Sequence, residues 1–396
     1  MNGKEDFLVR FGRRIRVGLV GGGLDSIVGT THRLALRADG LYELVAGAMS
    51  IDPDVARATG RSDLLAPDRI YVDYREMAAR EAARDNGIDV VVVATPPNLH
   101  LDVARAFLEH GVDVVCEKPA TASAAEAREL AWAATEADRL FVLTHCYTGY
   151  PMVRQARAMV QAGTLGRIVI AEAEIATGDP GLARVPNDPD TAHWNQRPDA
   201  MGKAVILGEV GSHAHQLVRY VVGSDVRQVS AQLHIVSAGR EVYDNAYLTV
   251  ELDNGAIGRL WSSYVATGNE HGLAFRVYGT EGALLWRQEE SEILWHQRFG
   301  ASAIRLSRGL PELTDVSLWA TRLRPGHPEG YVLAFANLYR DFGHAFLARA
   351  LGEPHEELMA LLPGVEDAVA TLELIEAAER SHDAGGTRLP VRGVNG

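Results

Sequence analysis

Two hydrophobic rhythms divide the chain. Up to about residue 149, short apolar runs without alternation, of which Asp89-Val-Val-Val-Val-Ala-Thr is the clearest, are separated by segments of helical period. Unbroken β-branched runs of this kind mark strands covered on both faces by helices. A strand is predicted from Arg14 into the glycines at 21–23, then a helix over 27–38 and a strand over 42–48. A helix over 99–110 closed by Gly111, a strand over 113–116, a helix opened by the Ser123-x-x-Glu126 capping-box spacing and a strand over 140–143 complete the series. Strand and helix in alternation predict a parallel, doubly wound sheet.

The rhythm changes near Tyr150. After a helix over 151–162, longer segments with period-two alternation are predicted as strands over 168–175, 226–236, 246–252, 257–265 and 273–278. Asp253-Asn254-Gly255 is a hairpin signal between two of them. Half-buried alternating strands predict a large open, mostly antiparallel mixed sheet with one exposed or interface-forming face. Helices return over 331–351 and 365–381, while residues 286–328 give no clear pattern. The expected architecture is α/β, with a doubly wound parallel sheet over 1–149 and a second domain carrying the large open sheet over 150–396, whose terminal helices are free to pack back on the first.

Composition narrows the field. A net charge of −13 opposes phosphate backbones and anionic lipid surfaces, so neither nucleic acid nor membrane is an expected partner. No apolar run reaches the roughly 18–20 residues of a bilayer span, and the polar N-terminus carries no cleavable apolar stretch, which predicts a cytoplasmic protein. Cys116 and Cys146 are the two cysteines, too few for a disulfide framework or a four-cysteine zinc site.

Several clusters carry candidate chemistry. Gly21-Gly22-Gly23 follows the first strand, where absent side chains let a pyrophosphate reach backbone N–H groups at a helix N-terminus. Its spacing departs from the dinucleotide fingerprint, because the third glycine belongs near Ser26 and Gly29 comes three residues late. Beyond the second strand, Ser50 is a partner for a ribose hydroxyl or a 2′-phosphate, with Asp52 and Arg57 as alternative ribose and phosphate partners, so NAD and NADP both remain open. Thr95-Pro96-Pro97-Asn98-Leu99-His100 is a rigid turn at the carboxyl edge of the sheet, where ligands of open α/β folds collect; plain turn chemistry explains it equally well. Thr95, Pro96, His100, Glu117 and Lys118 are the side chains expected to border the cofactor.

Glu117-Lys118-Pro119 puts a lysine at the mouth of a buried strand, in position to polarise a substrate hydroxyl or assist its deprotonation. Glu209 and His213 stand four residues apart, on one face if helical, a spacing suited to an orienting acid and a general base. With His215 they also approach a metal-ligand spacing, but no partner carboxylate is evident and no metal is expected. Tyr147 with His145 and Tyr150, His193-Trp194 with Arg197, Asp244-Asn245 and His327 with Tyr331 mix flat rings and polar groups in the manner of carbohydrate sites, although such residues also simply pack. Tyr147, His193, Trp194 and Arg197 join Lys118, Glu209 and His213 as the substrate-binding candidates.

The succession of glycine turn, Thr95-Pro96-Pro97…His100, Glu117-Lys118-Pro119 and Glu209-x-x-x-His213 resembles the Gfo/Idh/MocA family of oxidoreductases over nearly the whole chain. The resemblance implies a dinucleotide-binding Rossmann domain over 1–149, a substrate-binding and oligomerisation domain with an open mixed sheet over 150–396, a bound NAD or NADP, and reversible oxidation of a secondary alcohol on a sugar, cyclitol or glycoside. It implies Lys118 as catalytic lysine and His213 as acid/base, with Glu209 where many members carry Asp. It also implies homodimers or homotetramers packed through the open sheet face. Two alternatives stand beside this: redox-neutral glycoside cleavage or epimerisation through a transient keto-sugar, with the same residues, and a non-catalytic NAD(P)-binding sensor or regulatory subunit that keeps the fold.

Overall fold

The computed structural model describes residues 3–178, 198 and 202–392, in two compact units. The first comprises Met1–Thr121, Ala125–Cys146 and Tyr331–Ala368; the second comprises Ala122–Ala124, Tyr147–Gly330 and Val369–Gly396.

In the first unit, β1 (Ile15–Gly21), β2 (Tyr42–Ala48), β3 (Val90–Ala94), β4 (Asp113–Cys116) and β5 (Phe141–Leu143) form one sheet in the order β2-β1-β3-β4-β5, all parallel. Val90 to Val93 are fully buried, as a strand with helices over both faces requires. The chain leaves β1 toward β2 on one side and resumes at β3 on the other, so the switch point lies between the carboxyl ends of β1 and β3, where ligands of such sheets bind. The helix Gly330–Ala350 belongs to this unit because one of its faces is apolar: Phe335, Leu338, Tyr339 and Phe342 are buried. Tyr42 donates to the Tyr339 carbonyl at 2.6 Å, and the flanking pairs Arg340–Asp39 and Arg349–Asp113 close at 2.8 and 3.0 Å.

The second unit is built on nine strands in the order β13-β12-β11-β10-β6-β9-β8-β7-β14. They are β6 (Ile168–Ala176), β7 (Val226–His234), β8 (Asn245–Leu252), β9 (Ile257–Ser263), β10 (Leu273–Gly279), β11 (Gly282–Arg287), β12 (Ile293–Arg298), β13 (Ile304–Ser307) and β14 (Leu389–Pro390). Only β6 and β9 run parallel, which makes the sheet mixed but mostly antiparallel, as predicted. The Asp253-Asn254-Gly255 signal joins β8 to β9, with Gly255 at φ +83. The helices Pro151–Gln161 and Ser212–Val222 cover one face. The other face exposes Ile170, Tyr247, Ile257, Tyr278 and Trp295 between the cross-strand pairs Glu172–Arg259 and Glu174–Arg276. The patternless stretch 286–328 proves to hold the end of β11, then β12, β13 and a short helix, Asp315–Trp319. Their solvent-facing positions alternate with few buried residues, which blurred the period.

Candidate active site

The glycine turn is pressed against its neighbours. Gly21 and Gly22 have φ of +76 and +64, and a Cβ on Gly21 would lie 2.5 Å from the Ala94 carbonyl oxygen at the end of β3. The helix Ile27–Ala38 starts only at Ser26, whose hydroxyl accepts from the Gly29 N–H at 3.0 Å. A Cβ on Gly29 would lie 2.2 Å from the Gly22 oxygen. Gly29 therefore does the work of the fingerprint's third glycine, close contact between turn and helix; the turn is longer, so the glycine is later. Arg33 braces the turn from behind, donating to the Gly22 oxygen at 2.7 Å while it pairs with Asp63.

After β2 the polar groups have local work. The Ser50 hydroxyl accepts from the Asp52 N–H at 3.1 Å, Asp52 caps the helix Pro53–Ser62 through the Asp54 and Val55 N–H groups, and Arg57 pairs with Asp54 at 2.6 Å.

Thr95 and His100 divide between the two readings of their turn. Thr95 Oγ1 is buried without a hydrogen-bond partner among the described residues, an acceptor and donor facing the switch point of the sheet. His100 is fully buried with Nε2 2.7 Å from the Thr95 oxygen and Nδ1 2.9 Å from the Pro119 oxygen. Burial lowers its pKa against the pull of those carbonyls and of Glu117. Both ring nitrogens face main-chain carbonyls, and the one that carries the proton in the neutral ring donates, so His100 is held between the two turns.

Glu117 likewise has partners within the protein. It follows β4, is nearly fully buried and turns inward: Oε1 accepts from the Thr144 hydroxyl at 2.5 Å and Oε2 from the Lys118 N–H at 3.1 Å. His32 Nε2 lies 3.2 Å from Oε1, off the ideal donor direction, so this contact is chiefly electrostatic. Burial pushes the Glu117 carboxyl up, but His32, Thr144 and Lys118 together outweigh it and hold the pKa below the ordinary value. Lys118, half-buried, stands at the carboxyl edge of the sheet beside this anion, with a cis peptide to Pro119.

In the second unit the segment expected to be helical at Glu209 is a π-turn, Leu207–Gly211, running into the helix Ser212–Val222. π-turns recur at functional sites because the extra residue redirects a side chain. Glu209 Oε2 accepts a short hydrogen bond from the Tyr264 hydroxyl. Burial and the Glu209 charge raise the Tyr264 pKa well above the usual value, so the phenol remains a donor. The buried Arg240 guanidinium lies 5.2 Å from the Tyr264 ring centre. The His213 ring is buried edge-on to Tyr147 at 4.6 Å, and the Tyr147 hydroxyl meets His271 Nε2 at 2.9 Å. Sequence reasoning missed Tyr264 and His271 and gave His32 no role, since no spacing links them to the motifs they serve. Asp244 is a brace, fully buried and accepting from the Val236 and Ser237 N–H groups. His193, Trp194 and Arg197 lie outside the described residues.

The profile of the oxidoreductase family with an NAD-binding Rossmann fold matches residues 15–145, and that of the GFO/IDH/MocA C-terminal domain matches residues 153–285. An uncharacterized oxidoreductase, YfiI of Bacillus subtilis (strain 168), is 30% identical over 94% of this chain and 95% of its own length. The chain belongs to the Gfo/Idh/MocA family. Among solved structures, an inositol dehydrogenase homolog from Azotobacter vinelandii complexed with NAD+ is 34% identical, with a TM-score of 0.89 over 96% of this chain and 97% of that one. The same homolog complexed with NADH and myo-inositol gives a TM-score of 0.88 at 34% identity, covering 96% of this chain and 98% of that one. As a Gfo/Idh/MocA protein the chain is an oxidoreductase with a nicotinamide-nucleotide-binding Rossmann unit. Its residues fit that group: the turn at 21–23 leaves no Cβ where a phosphate would approach, and Thr95 offers an unsatisfied hydroxyl at the same edge.

Proposed function

We propose that this Gfo/Idh/MocA oxidoreductase oxidises a ring secondary alcohol of a cyclitol, sugar or glycoside, with NAD or NADP as acceptor. The observation that carries the reading is Lys118, at the carboxyl edge of β4 and backed by a buried, ionised Glu117. When bound, the nicotinamide supplies the redox chemistry by taking hydride from the alcohol carbon. Backbone N–H groups around Gly21, Gly22 and Gly23 hold the pyrophosphate, with Ser50 toward the adenosine ribose and Thr95 and Pro96 bordering the nicotinamide half.

Lys118 donates to the substrate oxygen and stabilises the negative charge that grows there as its proton leaves. His213 receives that proton on an imidazole nitrogen and returns it in the reverse direction. Glu209, held by Tyr264, orients the substrate beside His213, and Tyr147 packs against the His213 ring. His193, Trp194 and Arg197 are assigned to the sugar ring. The A. vinelandii homolog binds myo-inositol, which supports a polyhydroxylated ring as substrate class. Two buried free thiols suit a reducing cytoplasm, the net charge of −13 speaks against nucleic acid and membrane partners, and the exposed apolar sheet face suits assembly into a homodimer or homotetramer.

The test is Lys118→Met, which keeps length and removes the charge. Turnover of myo-inositol, or of a substrate found by screening cyclitols and sugars with both nucleotides, should be lost while the NADH dissociation constant stays within about twofold. Activity within a few-fold of wild type would end the assignment.

A further inference from the structure

We propose that His32 is a positioning residue for Lys118, acting through Glu117: it fixes the buried carboxylate whose field the lysine works in. This rests on the reading of Lys118 as catalytic. The imidazole is fully buried in the helix Ile27–Ala38, held from three sides. Nδ1 lies 2.6 Å from the Tyr339 hydroxyl, Nε2 faces Glu117 Oε1 at 3.2 Å, and the Phe335 ring meets the imidazole edge-on at 5.0 Å.

The tautomer follows from the partners. Tyr339 is buried, and burial with the Glu117 charge raises its pKa well above normal, so its hydroxyl keeps its proton and donates to Nδ1. The N–H of His32 is then at Nε2 and faces the carboxylate. Tyr339 thus fixes the proton on the nitrogen that serves Glu117. Glu117 in turn is tied to the catalytic segment by the Lys118 N–H on Oε2.

A carboxylate buried this deeply would ordinarily take up a proton, and an unpaired buried charge is costly. The groups facing it are His32, the Thr144 hydroxyl and Lys118, with Cys116, Cys146, His100 and Tyr339 around them. Both thiols are pushed up by burial and stay neutral, Cys146 to about 12, and His100 is driven toward its neutral form. His32 and Lys118 are therefore the basic groups that answer the carboxylate, and losing His32 weakens that anion and the field at the ammonium together.

The chain makes this measurable, because Lys4, Lys118 and Lys203 are its three lysines. In full-length protein with 13C at the lysine ε-carbon, three signals arise, and Lys118→Met identifies the relevant one. Its acid-range inflection reports protonation of Glu117. In wild type the inflection should fall below the ordinary carboxylate range. In His32→Leu it should rise by about one pH unit or more, a tenfold gain in proton affinity, and kcat should fall at least tenfold with NADH affinity within about twofold. Tyr339→Phe, which removes one hydroxyl and almost no volume, should move the inflection in the same direction by less, and His32→Gln should restore part of the shift.

Unchanged inflections in both His32→Leu and Tyr339→Phe would overturn the proposal, as would a kcat loss without movement of the inflection, the signature of a merely structural residue. If His32→Leu does not fold, Tyr339→Phe decides alone. Lys118→Met that retains turnover would instead overturn the reading of Lys118, whatever the inflection does.

Discussion

Replacing Gly29 by alanine sets helix propensity against packing. Ala exceeds Gly in a helix by up to about 1 kcal/mol, so propensity alone predicts a gain in stability. The structure predicts a loss, because the new Cβ would lie 2.2 Å from the Gly22 oxygen, 2.6 Å from its carbonyl carbon and 2.7 Å from its Cα. All three are backbone atoms, so no side chain can rotate away, and an ordinary contact of 3.4 Å demands that helix and turn part by about 1 Å. Overpacking of this kind costs about 1–3 kcal/mol, which against the propensity gain leaves a net loss of up to about 2 kcal/mol. The functional effect should be larger, because the displaced atoms are those proposed to hold the pyrophosphate, and a shift on the order of 1 Å at a positioned contact can cost on the order of 100-fold. Urea unfolding reads the first quantity and energy transfer from tryptophan to bound NADH the second. Gly364→Ala is the control, since nothing lies within 4 Å of its Cβ position. A Gly29→Ala protein as stable as wild type, with unchanged NADH affinity, would show that the late glycine is not the fingerprint's third.

Two other perturbations follow from buried charge. Burial pushes the His215 pKa down from 6.5 to about 4, so the unfolded chain binds the proton more tightly between those values. Stability should fall by about 3 kcal/mol as pH drops through that window, and His215→Leu should flatten this part of the curve in urea unfolding at pH 7.5, 6 and 4.5. Glu81, fully buried, accepts from Arg69 and from Tyr71 at 2.8 Å, so Glu81→Ala should cost about 3–5 kcal/mol by stranding the Arg69 charge, read as a lower urea midpoint.

Much of this molecule was legible in one sequence because its signals are local. The unalternating Val90–Val93 run, the glycines of the first turn and the hairpin at Asp253-Asn254-Gly255 each state their conformation within a few residues. What stayed hidden is set by contacts distant in sequence. Tyr339 reaches His32 across 307 positions, and Tyr264 reaches Glu209 across 55. The same holds for His100 and Glu117: their residue types suggested ligand contacts, and only the fold shows that their polar atoms face main-chain carbonyls, Thr144 and His32. A motif reveals that a segment is special without revealing which way each side chain turns.

The Glu209-x-x-x-His213-x-His215 segment shows how far burial resolves such an ambiguity. Two residues apart on a helix point in widely different directions, so His213 and His215 cannot converge on one ion. His215 makes its Nδ1 contact with the Thr371 hydroxyl at 3.0 Å and borders a small cavity lined by Leu207, Leu248, Leu260, Leu374 and Ile375. Burial lowers its pKa to about 4, which makes it a weak base. The described residues contain no group of three His, Cys, Asp or Glu side chains able to hold a metal. The proton transfer proposed for this segment is accordingly assigned to His213, whose ring lies against Tyr147 and so beside the Tyr147–His271 hydrogen bond, while His215 anchors the helix from the core side. On that proposal one helix carries a structural imidazole and a chemical one, and what separates them is the face on which each lies.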